Sequence, residues 1–418
     1  MRSKSDKKKP LVPRLRFPEF REAGAWEVKE LGEIASISNG LTADQSGDSN
    51  GLKVTRIETI SEGCIDISKV GYIDRIEGVE RFGLRIGDIL FSHINSQSHI
   101  GKTALVEEDF DLYHGMNLLR LQVDKTENNP RFTYYLLNTE FFRKSVQARS
   151  NQAVNQASIN QTEVGNSQIA VPSAKEQQKI AHCLSSLDEV IGLQAKKVQA
   201  LKQHKKGLMQ QLFPAEGETT PRLRFPDFRE AGAWEVKRLG EIFQERTERD
   251  SSSLELLSVT MSEGVVKTSQ LDRKNNASSD LSNYKNVYPN DIVYNSMRMW
   301  QGASGVSQWQ GIVSPAYTVI TPISTQKPFF WAYYFKHTEN IEKFSRYSQG
   351  VTSDTWSLKF PAFSSIKIPV PTKADEQQKI AHCLSSLDEV IGLQAKKVQA
   401  LKQHKKGLMQ QLFPQEVA

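Results

Sequence analysis

The stretch Glu176–Pro214, EQQKIAHCLSSLDEVIGLQAKKVQALKQHKKGLMQQLFP, returns letter for letter at Glu376–Pro414. An internal repeat of this kind outranks any local motif, because it divides the chain into two halves that end alike. Within the stretch, Ile180, Leu184, Leu187, Ile191, Gln194, Val198, Leu201, Lys205, Leu208 and Leu212 alternate spacings of four and three. Apolar residues fill eight of these ten positions on a strict 3.5-residue period, the seam of a coiled coil rather than the broad stripe of a globular helix. Its copy runs through Ile380, Leu384, Leu387, Ile391, Val398, Leu401 and Leu408. Pro172 precedes the first stretch and Pro214 closes it, so both ends are punctuated. At 1.5 Å per residue each helix would be roughly 58 Å long. Such a seam needs a partner, and the second copy is the nearest candidate. The polar seam residues Gln194 and Lys205, with Gln394 and Lys405, either fix an antiparallel register or, for the lysines, snorkel at the edge of the seam.

Working outward, Pro13–Ile34 (PRLRFPEFREAGAWEVKELGEI) recurs at Pro221–Ile242 with two changes, Glu19 to Asp227 and Glu30 to Arg238. Trp26 and Trp234 each precede a Glu-Val-Lys strand and a Leu-Gly-Glu-Ile helical turn. Between shared beginnings and shared ends the middles differ, yet landmarks align. Gly87-Asp88-Ile89-Leu90 answers Asn290-Asp291-Ile292-Val293, and the aromatic helix opening at Pro130 answers the one opening at Pro328. Short β-branched and aromatic runs broken by Gly, Asn, Ser and Asp predict a small mixed sheet with helices and long loops.

The expected fold class is therefore α+β: two similar α/β domains joined and spaced by two long helices that form an antiparallel coiled coil with pseudo-two-fold symmetry. The expected boundaries are a basic tail at 1–12, a first domain at 13–172, a spacer helix at 173–214 and a linker at 215–221. A second domain at 222–371, a distal helix at 372–414 and a tail at 415–418 complete the chain. The competing arrangement pairs the helices between chains.

Composition bounds the function. The chain has 418 residues, a net charge of +6 and three cysteines, Cys64, Cys183 and Cys383, with no CxxC pair. That predicts a reducing, cytoplasmic setting without a disulfide framework or zinc site. No apolar run reaches the length of a membrane span, and the basic N-terminus lacks the apolar core of a secretory signal. Residues 14–172 carry 17 basic and 22 acidic side chains, whereas 222–370 carry 18 and 15, so the excess positive charge sits largely on the helices and tail. A nucleic-acid partner is compatible with this, as is a soluble protein with solvated lysine faces.

Catalytic signatures are not found. No GxGxxG is present, and Gly101-Lys102-Thr103 fails as a phosphate loop because position 96 is Ser96. No HExxH or HxE…CxxC pattern appears, nor the Asn-Pro-Pro-aromatic tetrapeptide of an amino-methyltransferase. His182, His204, His382 and His404 lie off the seam and are expected to face solvent.

Two equivalent domains with different loops suit the reading of two segments of one extended ligand, and DNA is such a ligand. The candidates in the first domain are His93, Asn95, Gln97, Ser98, His99 and Lys102, with Asn151, Gln152, Asn155 and Gln156 from a second loop. In the second they are Asn295, Arg298, Trp300 and Gln301, with Thr352 and Ser353. Asn and Gln pair bidentately with adenine, and Arg with guanine. Any one of these residues is more often an ordinary polar surface residue than a base contact. Each loop taken whole favours DNA.

With these residues in place the chain resembles the DNA-specificity subunits of type I restriction–modification enzymes. The resemblance rests on the duplicated Trp-Glu-Val-Lys…Leu-Gly-Glu openings, the Gly-Asp-Ile-Leu and Asn-Asp-Ile-Val turns, the Glu-Gln-Gln-Lys-Ile helix entries and the Gly-Leu-Met-Gln-Gln-Leu-Phe-Pro ends. It implies a non-catalytic subunit whose domains are target recognition domains for a bipartite, asymmetric site in double-stranded DNA. It further implies two modification subunits that carry S-adenosylmethionine, and restriction subunits that use ATP and Mg. No cofactor or metal is expected on this chain, and no membrane partner. A coiled-coil adaptor with two protein-binding domains is the alternative.

Overall fold

Each half begins and ends on the same pair of strands. The computed structural model describes residues 11–44, 50–153, 156–249, 253–271, 280–323, 325–352 and 355–415. They fall into two units, one reaching to Gln194 and resuming at Lys397, the other spanning Ala195–Lys396. In the first unit the strand Glu27–Glu30 pairs antiparallel with Gln168–Val171, Glu27 opposite Val171. In the second, Glu235–Arg238 pairs with Lys367–Val370, Glu235 opposite Val370. The first and last strands of each domain therefore close on one another, and the closing strand feeds the long helix.

Between them lies a four-stranded antiparallel sheet. Its order is Ala35–Asn39, Leu119–Val123, Ile89–Phe91, Thr103–Leu105 in the first unit. The second repeats that order with Phe243–Glu245, Tyr317–Pro322, Ile292–Asn295 and Ser304–Val306. The aromatic helices Pro130–Leu137 and Pro328–Tyr334 begin on proline, whose fixed φ suits a first helical turn. The mixed α/β class with two like domains thus appears as the repeat predicts.

The long helices run Ala174–Leu212 and Ala374–Leu412. Each starts two residues before the identical stretch, and each stops ahead of proline because Pro214 and Pro414 disfavour helical backbone at Phe213 and Phe413. Neither belongs to a single domain. The first unit's core joins Trp26, Leu121 and Phe132 to Ile180, Ala181 and Leu184 from the start of one helix and to Leu412 and Phe413 from the end of the other. In the second unit, Trp234, Phe330 and Tyr334 meet Ile380, Ala381 and Leu384 together with Leu212 and Phe213. Within each unit, therefore, the start of one helix lies beside the end of the other and the two run antiparallel. All seam positions named above are buried or half-buried. His182, His204, His382 and His404 are exposed.

Two polar devices hold this packing. The first is a buried clamp. Arg16 donates through Nε and Nη2 to the two carboxylate oxygens of Glu176, at 2.8 and 2.7 Å. The same carboxylate accepts from Trp26 Nε1 at 3.4 Å, and Arg16 Nη1 donates to the carbonyl of Gly24 at 2.6 Å. Glu176 is 1% exposed. Arg224, Glu376, Trp234 and Gly232 repeat every contact in the second unit. Gly24 and Gly232 sit at φ +76° and +73°, a left-handed conformation that favours glycine and explains the Ala-Gly-Ala-Trp text of both openings.

The second device sets the register. Lys405 Nζ reaches both carboxylate oxygens of Asp188 at 2.6 Å, and Tyr135 Oη donates to the same group at 2.7 Å. Lys205, Asp388 and Tyr333 match them at 2.6 and 2.8 Å. The lysines are therefore paired across the seam and do not snorkel, because a carboxylate from the neighbouring helix meets each ammonium inside the edge of the packing. Gln194 and Gln394 fare differently: the side-chain oxygen of each is enclosed without a hydrogen-bond partner among the described residues.

Arg16→Met is expected to destabilise the chain by about 3–5 kcal/mol, since it leaves the Glu176 carboxylate buried and unpaired. Lys144→Ala breaks only the exposed pair with Glu140, so its cost is expected to stay below about 1 kcal/mol. Urea midpoints of the full chain measure both. Acid should also weaken the fold. Burial lowers His114 to about 4, with Arg120 and His93 adding to the shift against a hydrogen bond from its Nε2 to the Leu118 carbonyl. Burial likewise lowers His337 to about 4, with Lys343 adding to it. The unfolded chain binds these protons first, so stability is full above about pH 6.5 and is lost as pH falls toward 4. The loss is roughly 2 kcal/mol per histidine at pH 5. Denaturation midpoints between pH 7 and 5 test this, and His114→Phe should flatten the slope.

Candidate nucleic-acid interface

In each domain a central strand of the sheet leads out into one candidate loop, and the second loop returns to meet it. In the first domain Ile94–Asn95 pairs with Gln156–Ser158, Asn95 opposite Ala157, and Gln156–Ser158 pairs in turn with Asn151–Ala153. Ile159 donates its backbone NH to the carbonyl of His93 at 2.9 Å. Gln147 Nε2 donates to the carbonyl of Gln97 at 3.1 Å. Two loops some fifty residues apart in sequence thus become one small polar sheet.

Gln97, Ser98, His99, Asn151, Gln152 and Gln156 are exposed on it. His99 Nδ1 lies 2.9 Å from both Ser96 Oγ and Ser98 Oγ, which fixes the ring. Three other candidates are engaged by the fold. Asn95 is half-buried and bonds Ser92 Oγ and the NH of Ser96. Lys102 Nζ donates to the carbonyl of Ser61 at 2.7 Å. His93 is 8% exposed, its Nδ1 is enclosed without a partner, and burial lowers its pKa. His93 and Lys102 therefore support the platform instead of presenting a free donor, because one is buried and the other is engaged by the Ser61 carbonyl. Asn155 lies outside the described residues.

The second domain builds its surface differently. Leu358 donates its NH to the carbonyl of Ser296 at 2.8 Å, tying the two loops together. Trp300 meets Trp356 edge-on, with ring centroids 5.4 Å apart at 75°. Trp300 Nε1 donates to the carbonyl of Met297, and Asn295 Oδ1 accepts from the NH of Met297. Gln301 is half-buried and Thr352 exposed, whereas Ser353 lies outside the described residues. Arg298 is exposed, and its guanidinium has no hydrogen-bond or ion-pair partner among the described residues. In the first domain the nearest arginine, Arg149, is already spent on the Glu163 carbonyl and Ser167 Oγ. The loop surfaces can thus offer donors and acceptors to base edges, joined in the second domain by the exposed guanidinium of Arg298.

The sequence reasoning overlooked Trp356 and the Arg16–Glu176 clamp. Trp356 had a signal, as the one aromatic residue in its loop. One acidic group among the described residues has metal-ligand spacing, Glu216, Glu339 and Glu342, and Arg346 pairs with two of its members, Glu216 and Glu342. Among the described residues no helix is long and apolar enough to cross a membrane.

Comparison with known proteins places this geometry. Residues 24–203 and 232–403 each match the model of the type I restriction modification DNA specificity domain. A putative type I restriction enzyme MjaX specificity subunit from Methanocaldococcus jannaschii is 33% identical over 420 residues, covering 93% of this chain and 92% of that protein. The S subunit of a type I restriction-modification system from M. genitalium shares the fold, with a TM-score of 0.58 at 15% identity over 98% of this chain and all of that one. So does a chain solved in work on complex assembly and conformational transition of the type I R-M system, with a TM-score of 0.54 at 18% identity over 93% and 97%.

Trp356→Ala is expected to loosen the second domain's surface while sparing its core. Loss of the aromatic pair costs about 0.5–1.5 kcal/mol, so the melting midpoint should shift little while specific DNA binding falls. Paired melting and binding measurements on the variant check this.

Proposed function

The chain belongs to the family of type I restriction–modification specificity subunits, and from that premise we propose that each domain reads one half of a bipartite, asymmetric DNA site. The observation that carries the reading is a shared framework bearing unlike loop surfaces. The sheet order, the clamp and the helix register recur, while the loops present amide and hydroxyl groups in one domain and a cation with tryptophans in the other. In the major groove, amides suit adenine and a guanidinium suits guanine. Candidates for such contacts are Gln97, Asn151, Gln152 and Gln156 in the first domain and Arg298 in the second.

The two long helices, paired antiparallel as a coiled coil, set the number of base pairs between the half-sites. In this reading they do what a fixed dimer does for a two-fold operator. Support comes from the bidentate Lys405–Asp188 and Lys205–Asp388 contacts, which specify one register.

The chain itself carries out no chemistry in this proposal. Two modification subunits bring S-adenosylmethionine and adenine methylation, and restriction subunits bring ATP- and Mg-dependent translocation and cleavage. Since residues 14–172 carry more acidic than basic side chains, phosphate contact comes either from a narrow basic face of this domain or largely from the partner subunits.

Methylation mapping of DNA from cells that carry the chain with its modification partner tests the whole reading and returns both half-sites and the gap. Arg298→Ala should weaken or relax the second half-site alone, by about 1–3 kcal/mol; equal loss at both half-sites would contradict the assignment. One extra heptad in each long helix adds about 10.5 Å. That should lengthen the gap by about three base pairs while both half-sites stay unchanged, and an unaltered gap would sink the spacer role.

A further inference from the structure

Val351 is 98% exposed, the most exposed large apolar side chain among the described residues. It lies within the second domain's outer candidate loop, beside Thr352. A single exposed apolar residue ordinarily needs no explanation, but this one sits on backbone that the fold has fixed around it. On one side, Gln349 and Ser357 exchange backbone hydrogen bonds at 3.1 and 2.8 Å. On the other, the NH of Thr352 donates to Thr355 Oγ1 at 3.1 Å and the NH of Thr355 to the Thr352 carbonyl at 2.9 Å. Gly350 lets the loop close this tightly, since a Cβ there would stand 2.6 Å from the Thr355 carbonyl oxygen. The loop is joined to the Arg298 loop through Leu358 and Ser296 and through Trp356 and Trp300.

The Arg298 loop adds a second exposed apolar side chain, Met297, at 47%. The first domain's candidate loops show no exposed large apolar side chain among the described residues. Valine's branched side chain is stiff about χ1, and here it buries nothing of its own chain. A fully exposed methyl pair on a loop joined to the one that carries the exposed Arg298 guanidinium fits a ligand that presents apolar and polar groups on one edge. In the major groove only thymine does this, with its 5-methyl group next to O4.

We propose that the second domain reads thymine through its 5-methyl group, with Val351 as the contact and Met297 on the joined loop. The inference rests on the DNA-recognition reading above and adds to it a chemical class of base contact. It also distinguishes Val351 from an intercalating wedge, which would act on any base step.

The test uses the chain assembled with its modification subunits, and duplexes carrying the mapped site. Each thymine is replaced in turn by deoxyuridine, which lacks only the methyl group. At one or more positions of the second half-site, deoxyuridine should weaken binding about fourfold, the effect of leaving one methyl unburied. Val351→Ala should weaken binding to the thymine duplex and abolish the thymine-to-deoxyuridine difference. The inference is overturned by a second half-site without an A·T pair, by indifference to deoxyuridine there, or by a Val351→Ala variant that weakens both duplexes alike. In those cases a preference for the mapped site over scrambled DNA leaves the broader reading standing; loss of that preference in the unaltered complex overturns both.

Discussion

The buried pair of Arg16 with Glu176, and its copy Arg224 with Glu376, is the constraint on which the rest of the molecule depends. A carboxylate in the first turn of a long helix is sealed under a domain's opening segment and receives two guanidinium bonds and an indole bond. Buried ion pairs are weak sources of net stability, because desolvation offsets their attraction. Their strength is directional. A bidentate arginine–carboxylate pair accepts one geometry, so each helix leaves its domain at one place and one angle. Gln177 and Gln377 reinforce the joint by accepting from the NH of Asn129 and of Lys327. Loops that are to meet base edges can hold a fixed relation to a helix only if the intervening joint does not swing.

The two devices divide the work. The clamp orients a domain on its helix, and the Lys–Asp–Tyr contact sets how far one helix slides along the other. The tyrosine ties the second device back to the domain, because Tyr135 and Tyr333 belong to the aromatic helices. Burial, and then the bond to the aspartate, push both phenols well above their ordinary range, so they remain donors through the neutral range. Gln194 and Gln394 run the other way. An enclosed, unpartnered amide oxygen is a local cost, and neither residue strengthens the seam as an apolar side chain would.

Much of the fold was legible because periodicity and repetition are properties of the text. The 3.5-residue spacing marked the helices, and the duplicated openings and endings marked the domains. The clamp was not legible, since nothing in Arg16 or Glu176 announces a partner about 160 positions away; only their joint recurrence hinted at it. In the sequence, snorkelling suited Lys205 slightly better than fixing a register, and the outcome turns on Asp388, which reaches it only in the folded packing. Among the site residues, loop membership could be read but accessibility could not. His93 and His99 stand six positions apart in one polar stretch, yet one is buried and the other exposed. Val351 was passed over because valine does not read as a recognition residue until its exposure is known.

The sharing of each core between both helices has a consequence for the order in which the molecule is made. Phe413 packs against Trp26 and Phe132, so the first domain's core is closed by side chains that follow the whole second domain in sequence. Chains emerge from the ribosome N-terminus first, and contacts of such sequence separation form late. The first domain is therefore finished only after the second has been made. Until the second long helix arrives, its aromatic socket stands open.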